Sequence, residues 1–236
     1  MSRGPIALVG SGEFTPAMED VDRLLLTGRN QRVVFLPTAA AREGNARIRY
    51  WVDLGLAHYQ RLGAEAVPLM VLGRDDAENV DLAAQVEGAG LVYLSGGDPT
   101  FLADTLRGTA VAAALRLAWE AGMAVGGCSA GAMALADHVP RVRDPTGPPV
   151  DGLGFVADLV VIPHFDRIDH WLPGASELAV ASAPEGAWVL GIDEETAAVG
   201  GPRDWSVHGR GSAWLMKAGV DRQEFGAGTS FVTPAS

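Results

Sequence analysis

The chain has a single cysteine, Cys128, in 236 residues. One thiol excludes an internal disulfide and a four-cysteine zinc site, so core packing must hold the fold. Cations are also scarce: 18 Lys and Arg against 29 Asp and Glu leave a formal net charge of −11. Phosphate contacts need clustered Lys and Arg, and no stretch supplies them, so no nucleic-acid partner is expected. No run of about 18 uncharged apolar residues occurs, which argues against a membrane partner or span. The apolar segment before Gly10, Gly12 and Glu13 is too short for a signal peptide, and a cytoplasmic location is expected. Nucleotide fingerprints are missing as well. GSGEFT, residues 10–15, lacks the third glycine of a dinucleotide loop, and no GxxxxGK[ST] appears.

What the chain does have is 48% apolar and 20% charged residues, the balance of a soluble globular protein, and a length that suits one domain over residues 1–236. Near-continuous apolar runs recur at IALVG (6–10), RVVFLPT (32–38), EAVPLMVL (65–72), GLVYLSGG (90–97) and MAVGGCS (123–129). Strands buried on both faces read this way. Between them, ARIRYWVDLGLAHYQRLG (46–63) and TAVAAALRLAWEAG (109–122) place apolar residues three and four apart and end at glycine, as crossover helices do. The β-α-β-α order predicts a three-layer α/β fold: a mostly parallel, doubly wound sheet with ligands bound where strand ends meet loops. Residues 137–154 hold four prolines and three glycines and read as a surface loop. A strand pattern at 156–165 and a helical one at 172–184 follow, and then short strands joined by glycine turns form a C-terminal β extension.

The chemistry centres on GGCSAGAMAL, residues 126–135. GCSAG fits GxSxG, with a buried-strand pattern before it and an apolar helix start after it, the context of a nucleophile elbow. Its flanking glycines relieve crowding in the tight turn, and the central residue, Ser129, projects. Cys128, one position earlier, turns into the sheet, where a buried thiol behaves as a small hydrophobe. A serine nucleophile needs amides aimed at a developing oxyanion. Ala130 N–H at the helix start offers one. Gly97, in YLSGGDPTFL before a helix capped by Asp98 with Pro99 at its first position, offers the other. The base is assigned to His164 because it alone among five histidines lies at a predicted strand end. Asp144 and Asp151, between nucleophile and base, are the candidate orienting carboxylates. The cluster His164, Asp166, Asp169 and His170 matches no metal-ligand spacing with a firm mechanical basis, so neither metal nor cofactor is expected.

Taken in order, VVFLPTAA, LSGGDPTFL, GGCSAGAMAL, GLGFVADLVVIPHF and GIDEETAAV resemble the dipeptidase E and cyanophycinase family of serine peptidases. The resemblance implies a fold similar to class I glutamine amidotransferases, flavodoxin-like in its layers. It also implies Ser129 as nucleophile, His164 as base, and Gly97 with Ala130 as the oxyanion hole. In peptidase E-like members an aspartate about fifteen residues past the serine completes the triad, which falls on Asp144; cyanophycinase-like members use a glutamate somewhat later. PHF is similar to the peptidase E branch, GIDEETA (191–197) to the cyanophycinase branch. The implied reaction is acyl transfer on a small peptide bearing an aspartyl or β-aspartyl residue. Asp98 and Arg167 stand as substrate contacts, and Arg141 and Arg143 as further cations near the site. Oligomeric state is left open, a homodimer included. Three other readings share parts of this pattern: a glutaminase, which would carry cysteine at the elbow centre; an esterase, which would carry an HGG-type oxyanion motif; and a non-catalytic binding protein.

Overall fold

A computed structural model describes residues 2–141 and 147–235. Fourteen strands are present among them: β1 Ile6–Val9, β2 Arg32–Leu36, β3 Glu65–Pro68, β4 Leu91–Leu94, β5 Ala124–Cys128, β6 Ala136–Val139, β7 Val150–Asp151, β8 Val156–Ile162, β9 Trp188–Ile192, β10 Thr196–Gly200, β11 Asp204–Gly209, β12 Ser212–Lys217, β13 Val220–Gly226 and β14 Ser230–Val232. The α-helices are α1 Glu19–Leu26, α2 Asn45–Arg61, α3 Arg74–Ala77, α4 Val80–Ala84, α5 Pro99–Leu106, α6 Ala110–Glu120, α7 Ala130–Leu135, α8 Phe165–Trp171 and α9 Ala175–Ser182. None of the described helices is long and apolar enough to cross a membrane.

The first sheet has the order β14-β11-β10-β1-β5-β4-β2-β3. Its β1, β5, β4, β2 and β3 run parallel, while β10, β11 and β14 extend it antiparallel beyond β1. The five parallel strands are those the apolar runs predict; β1, β2, β4 and β5 are buried on both sides, and β3, at the sheet edge, is partly exposed. Along β1, Ile6 and Leu8 enter one core while Ala7 and Val9 enter another. The same alternation puts Val92 and Leu94 of β4 on one face and Leu91 and Tyr93 on the other, as the period of two in a strand requires. Helices α1 and α2 cover one face through Val21, Leu25, Leu26 and Tyr59. Trp119 and Leu115 of α6 and Leu102 of α5 join the core on the opposite face.

A second sheet, β13-β12-β9-β8-β6-β7, shares that opposite core through Leu159, Val161, Leu190 and Leu215. Its outer face is covered at Val160, Ile162 and Val189 by Phe165 of α8 and by Ala179 and Val180 of α9. Two sequence expectations change here. Residues 137–154 are not wholly loop: β6 and the two-residue β7 form an antiparallel pair at the sheet margin, where prolines are tolerated. The C-terminal strands are not one extension but divide between the sheets. β9 belongs to the second and β10 to the first, so the turn between them crosses from sheet to sheet.

Candidate active site

Strand β5 ends at Cys128, and α7 begins at Ala130, leaving Ser129 as the whole of the turn. Its backbone is forced to φ 50° and ψ −111°, a conformation that residues with a Cβ adopt only where the surroundings impose it. The surroundings here are the two elbow glycines. A Cβ at Gly127 would stand 2.5 Å from the Gly131 carbonyl carbon, and one at Gly131 would stand 2.1 Å from the Leu94 carbonyl oxygen. Only hydrogen fits at either position. The consequence is the one the GxSxG pattern predicts: Cys128 and Ala130 are buried while Ser129 is partly exposed between them.

Ser129 Oγ lies 3.2 Å from His164 Nε2, and His164 Nδ1 lies 2.9 Å from Glu194 Oε1. The three residues come from different strand ends: β5 of the first sheet, β8 of the second, and the turn where β9 gives way to β10. His164 adopts the left-handed conformation, φ 52° and ψ 37°, as it caps α8, and its carbonyl accepts from Arg167 and Ile168 N–H. Glu194 is fixed by the Asp166 carboxylate, which accepts from its N–H at 2.8 Å, and by Arg167, 3.7 Å from its second oxygen. A carboxylate can only accept, so Nδ1 carries the proton and Nε2 is left as acceptor for the Ser129 hydroxyl. That tautomer is the one a general base for Ser129 requires.

Both amides expected at the oxyanion position lie beyond the C-terminal ends of the parallel neighbours β4 and β5, at the same end of the sheet. Ala130 opens α7, where first-turn N–H groups have no partner within the helix. Gly97 has φ 142°, and a Cβ there would stand 2.4 Å from the Ala39 carbonyl oxygen. Its exposed N–H meets no acceptor among the described residues. Asp98 caps α5 by accepting from Phe101 N–H at 3.0 Å, and its own N–H donates to Ala39.

Of the other predicted residues, Arg167 reaches the site through Asp166 and Glu194. Arg141 is half-buried and donates to the Pro148 carbonyl. Asp151 sits in β7 opposite His138, with its carbonyl accepting from Arg107. Asp144 and Arg143 lie outside the described residues. Asp169 is engaged by the N–H and hydroxyl of Ser176. Burial, and then the adjacent Glu13 carboxylate, push the Cys128 thiol well above its usual range, so it stays protonated. Sequence reasoning missed Glu194. A search between Ser129 and His164 finds no glutamate, yet the residue lies inside GIDEETA, the stretch that resembles cyanophycinase.

Residues 6–200 match peptidase family S51. The chain belongs to that family. It is 30% identical over 168 residues to a cyanophycinase of Trichormus variabilis, covering 67% of this chain and 55% of the relative. A cyanophycinase of Synechococcus elongatus is 30% identical over 176 residues, covering 71% of this chain and 52% of the relative. The matched region thus spans about half the length of those curated relatives. Among solved structures, a peptidase from an acI-B1 Actinobacterium superposes with a TM-score of 0.90 at 38% identity, covering 98% of this chain and 97% of the other. A putative peptidase E protein from Listeria monocytogenes gives 0.60 at 16% identity, covering 95% and 99%, a likeness of fold.

Proposed function

We propose that the chain is a serine peptidase that cleaves short peptides carrying an aspartyl or β-aspartyl residue. The observation that carries this reading is the line Ser129–His164–Glu194, with hydrogen bonds of 3.2 and 2.9 Å. His164 takes the proton of Ser129 as Oγ attacks the peptide carbonyl. Glu194 holds the imidazole and balances the charge it gains. Gly97 and Ala130 amides donate to the oxyanion, His164 returns its proton to the leaving amine, and water then releases the acyl group by the same route.

Glu194 is the third member in this proposal, in the role that the family resemblance gives to Asp144 on the peptidase E pattern. A glutamate within GIDEETA, together with the cyanophycinase relatives, favours the β-aspartyl over the α-aspartyl substrate. Arg167, half-exposed beside Glu194, is the cation best placed to meet an acidic substrate group. A fluorophosphonate probe tests the nucleophile. Labelling is expected in the wild type and absent in Ser129→Ala; labelling that survives Ser129→Ala and disappears in Cys128→Ala overturns the reading. A dipeptide panel with α-aspartyl, β-aspartyl and neutral members tests the substrate, and turnover of none of them removes the peptidase assignment.

A further inference from the structure

The segment GSGEF, residues 10–14, carries a glutamate that the mechanism leaves unused. Glu13 is only 8% exposed, and a carboxylate so placed must have donors or destabilise the fold. It has two. Oε1 accepts from Gly96 N–H at 2.9 Å, and Oε2 accepts from the Cys128 thiol at 2.8 Å. The loop that carries it is pinned on both sides: Gly10 N–H donates to Thr196, and Phe14 packs edge-on against Phe35 and Tyr59 at 5.6 and 5.7 Å.

Each of these donors stands one residue before a group proposed to act on the substrate. Gly96 precedes Gly97, and Cys128 precedes Ser129. A Cβ at Gly96 would fall 2.9 Å from Glu13 Oε1 and 3.5 Å from Ser129 Cβ, so the buried carboxylate and the proposed nucleophile both close on the same side of Gly96, where only hydrogen fits. Two successive glycines are the most conformationally free dipeptide a chain can offer. Left without an acceptor, the Gly96 amide would let this peptide rotate, and Gly97 N–H would lose its aim.

We propose that Glu13 is a positioning residue for the oxyanion hole: its carboxylate clamps the ends of β4 and β5 together and fixes the Gly96–Gly97 peptides relative to Ser129. Cys128 serves as the second anchor of that clamp, as a donor and not as a nucleophile. This rests on the serine-peptidase reading above.

The test compares Glu13→Ala, Glu13→Asp and Glu13→Gln with the wild type. Fluorophosphonate stoichiometry counts competent sites, and the phosphonylation rate per competent site reports the hole, because the probe's P=O must occupy it. Removing one oxyanion donor costs about 10²–10³ in rate; a donor that is misaimed rather than lost is expected to cost about 30- to 100-fold per site in Glu13→Ala. The KM for whichever dipeptide the wild type cleaves should stay within about threefold. Glu13→Gln should recover to within about fivefold, because its amide oxygen still accepts from Gly96. If Glu13→Ala does not fold, Glu13→Asp, too short to reach both donors, should show the loss in weaker form. Wild-type rates per competent site in Glu13→Ala or Glu13→Asp, with only stability or site count reduced, overturn the proposal and leave the triad standing. A wild type that the probe does not label overturns the serine-peptidase reading itself.

Discussion

Replacing Glu194 by glutamine probes the least expected member of the site. In water an ion pair at the observed 2.9 Å is worth roughly 1.4 kcal/mol, and at an effective dielectric of 20 roughly 6 kcal/mol. The His164 and Glu194 side chains are 25% and 34% exposed, so the imidazolium formed during acylation is stabilised by an amount between these limits. At about 1.4 kcal/mol per decade, a mid-range loss corresponds to about 10²–10³ in rate. Glutamine adds a second penalty. Its amide nitrogen can donate to Nδ1 and move the imidazole proton to Nε2, where it blocks the Ser129 proton; loss of the orienting carboxylate in a serine triad costs up to about 10⁴.

The assay is the second-order rate of fluorophosphonate labelling, which needs no knowledge of the substrate. Glu194→Gln should slow it by about 10³, Glu194→Asp by less, and Asp144→Asn by less than about threefold. A fall of more than about 100-fold in Asp144→Asn, with Glu194→Gln close to wild type, would refute the reasoning and return the third role to Asp144.

Gly131→Ala should destabilise the chain by about 2 kcal/mol or more, because its Cβ would stand 2.1 Å from a backbone oxygen that cannot move without disturbing β4; thermal denaturation reads this. Cys128 should resist iodoacetamide in the native state and react once denaturant is added. Its thiol is held above the ordinary 9.0 when folded, so the stability it contributes is intact below pH 9.0 and lost as pH rises past it, at no more than about 1.4 kcal/mol per unit. A Cys128→Ala variant should lack that part of the alkaline slope in urea melts. Asp22 accepts from buried His58 Nε2 at 2.6 Å while Arg61 donates to Nδ1, and Asp22→Ala should cost about 1–3 kcal/mol by leaving the buried Nε2–H without an acceptor; a loss under about 1 kcal/mol in the same melts contradicts this.

The parallel sheet was legible because its inner strands are buried on both faces and so appear as unbroken apolar runs; RVVFLPT and GLVYLSGG cover β2 and β4 to within a few residues. The elbow was legible for a related reason. Glycine spacing is a local signature of a local constraint, and the close approaches at Gly127 and Gly131 are its cause. The second sheet was not, because its pairings are set by distant partners. β8 lies between β6 and β9, residues 163–187, helix and loop, separate it from β9, and β13 is exposed along most of its length. A strand with neither an apolar run nor a clear alternation leaves no periodic mark.

The same distinction explains why the elbow serine could be read from sequence and its proposed carboxylate partner, Glu194, could not. Ser129 and the two amides proposed for the oxyanion, those of Gly97 and Ala130, sit at ends of strands in one sheet, each within a motif that spans a few residues. His164 depends on the second sheet, and Glu194 on the turn by which the chain leaves that sheet for the first. The imidazole and its carboxylate therefore align with Ser129 only when both sheets are packed, through the core shared by Leu8, Val161 and Leu190. A substitution in that core, such as Val161→Ala, is expected to act on His164 before it acts on the elbow, slowing fluorophosphonate labelling of Ser129 by more than the loss of folded protein in a thermal melt accounts for; labelling that falls only with the folded fraction contradicts this.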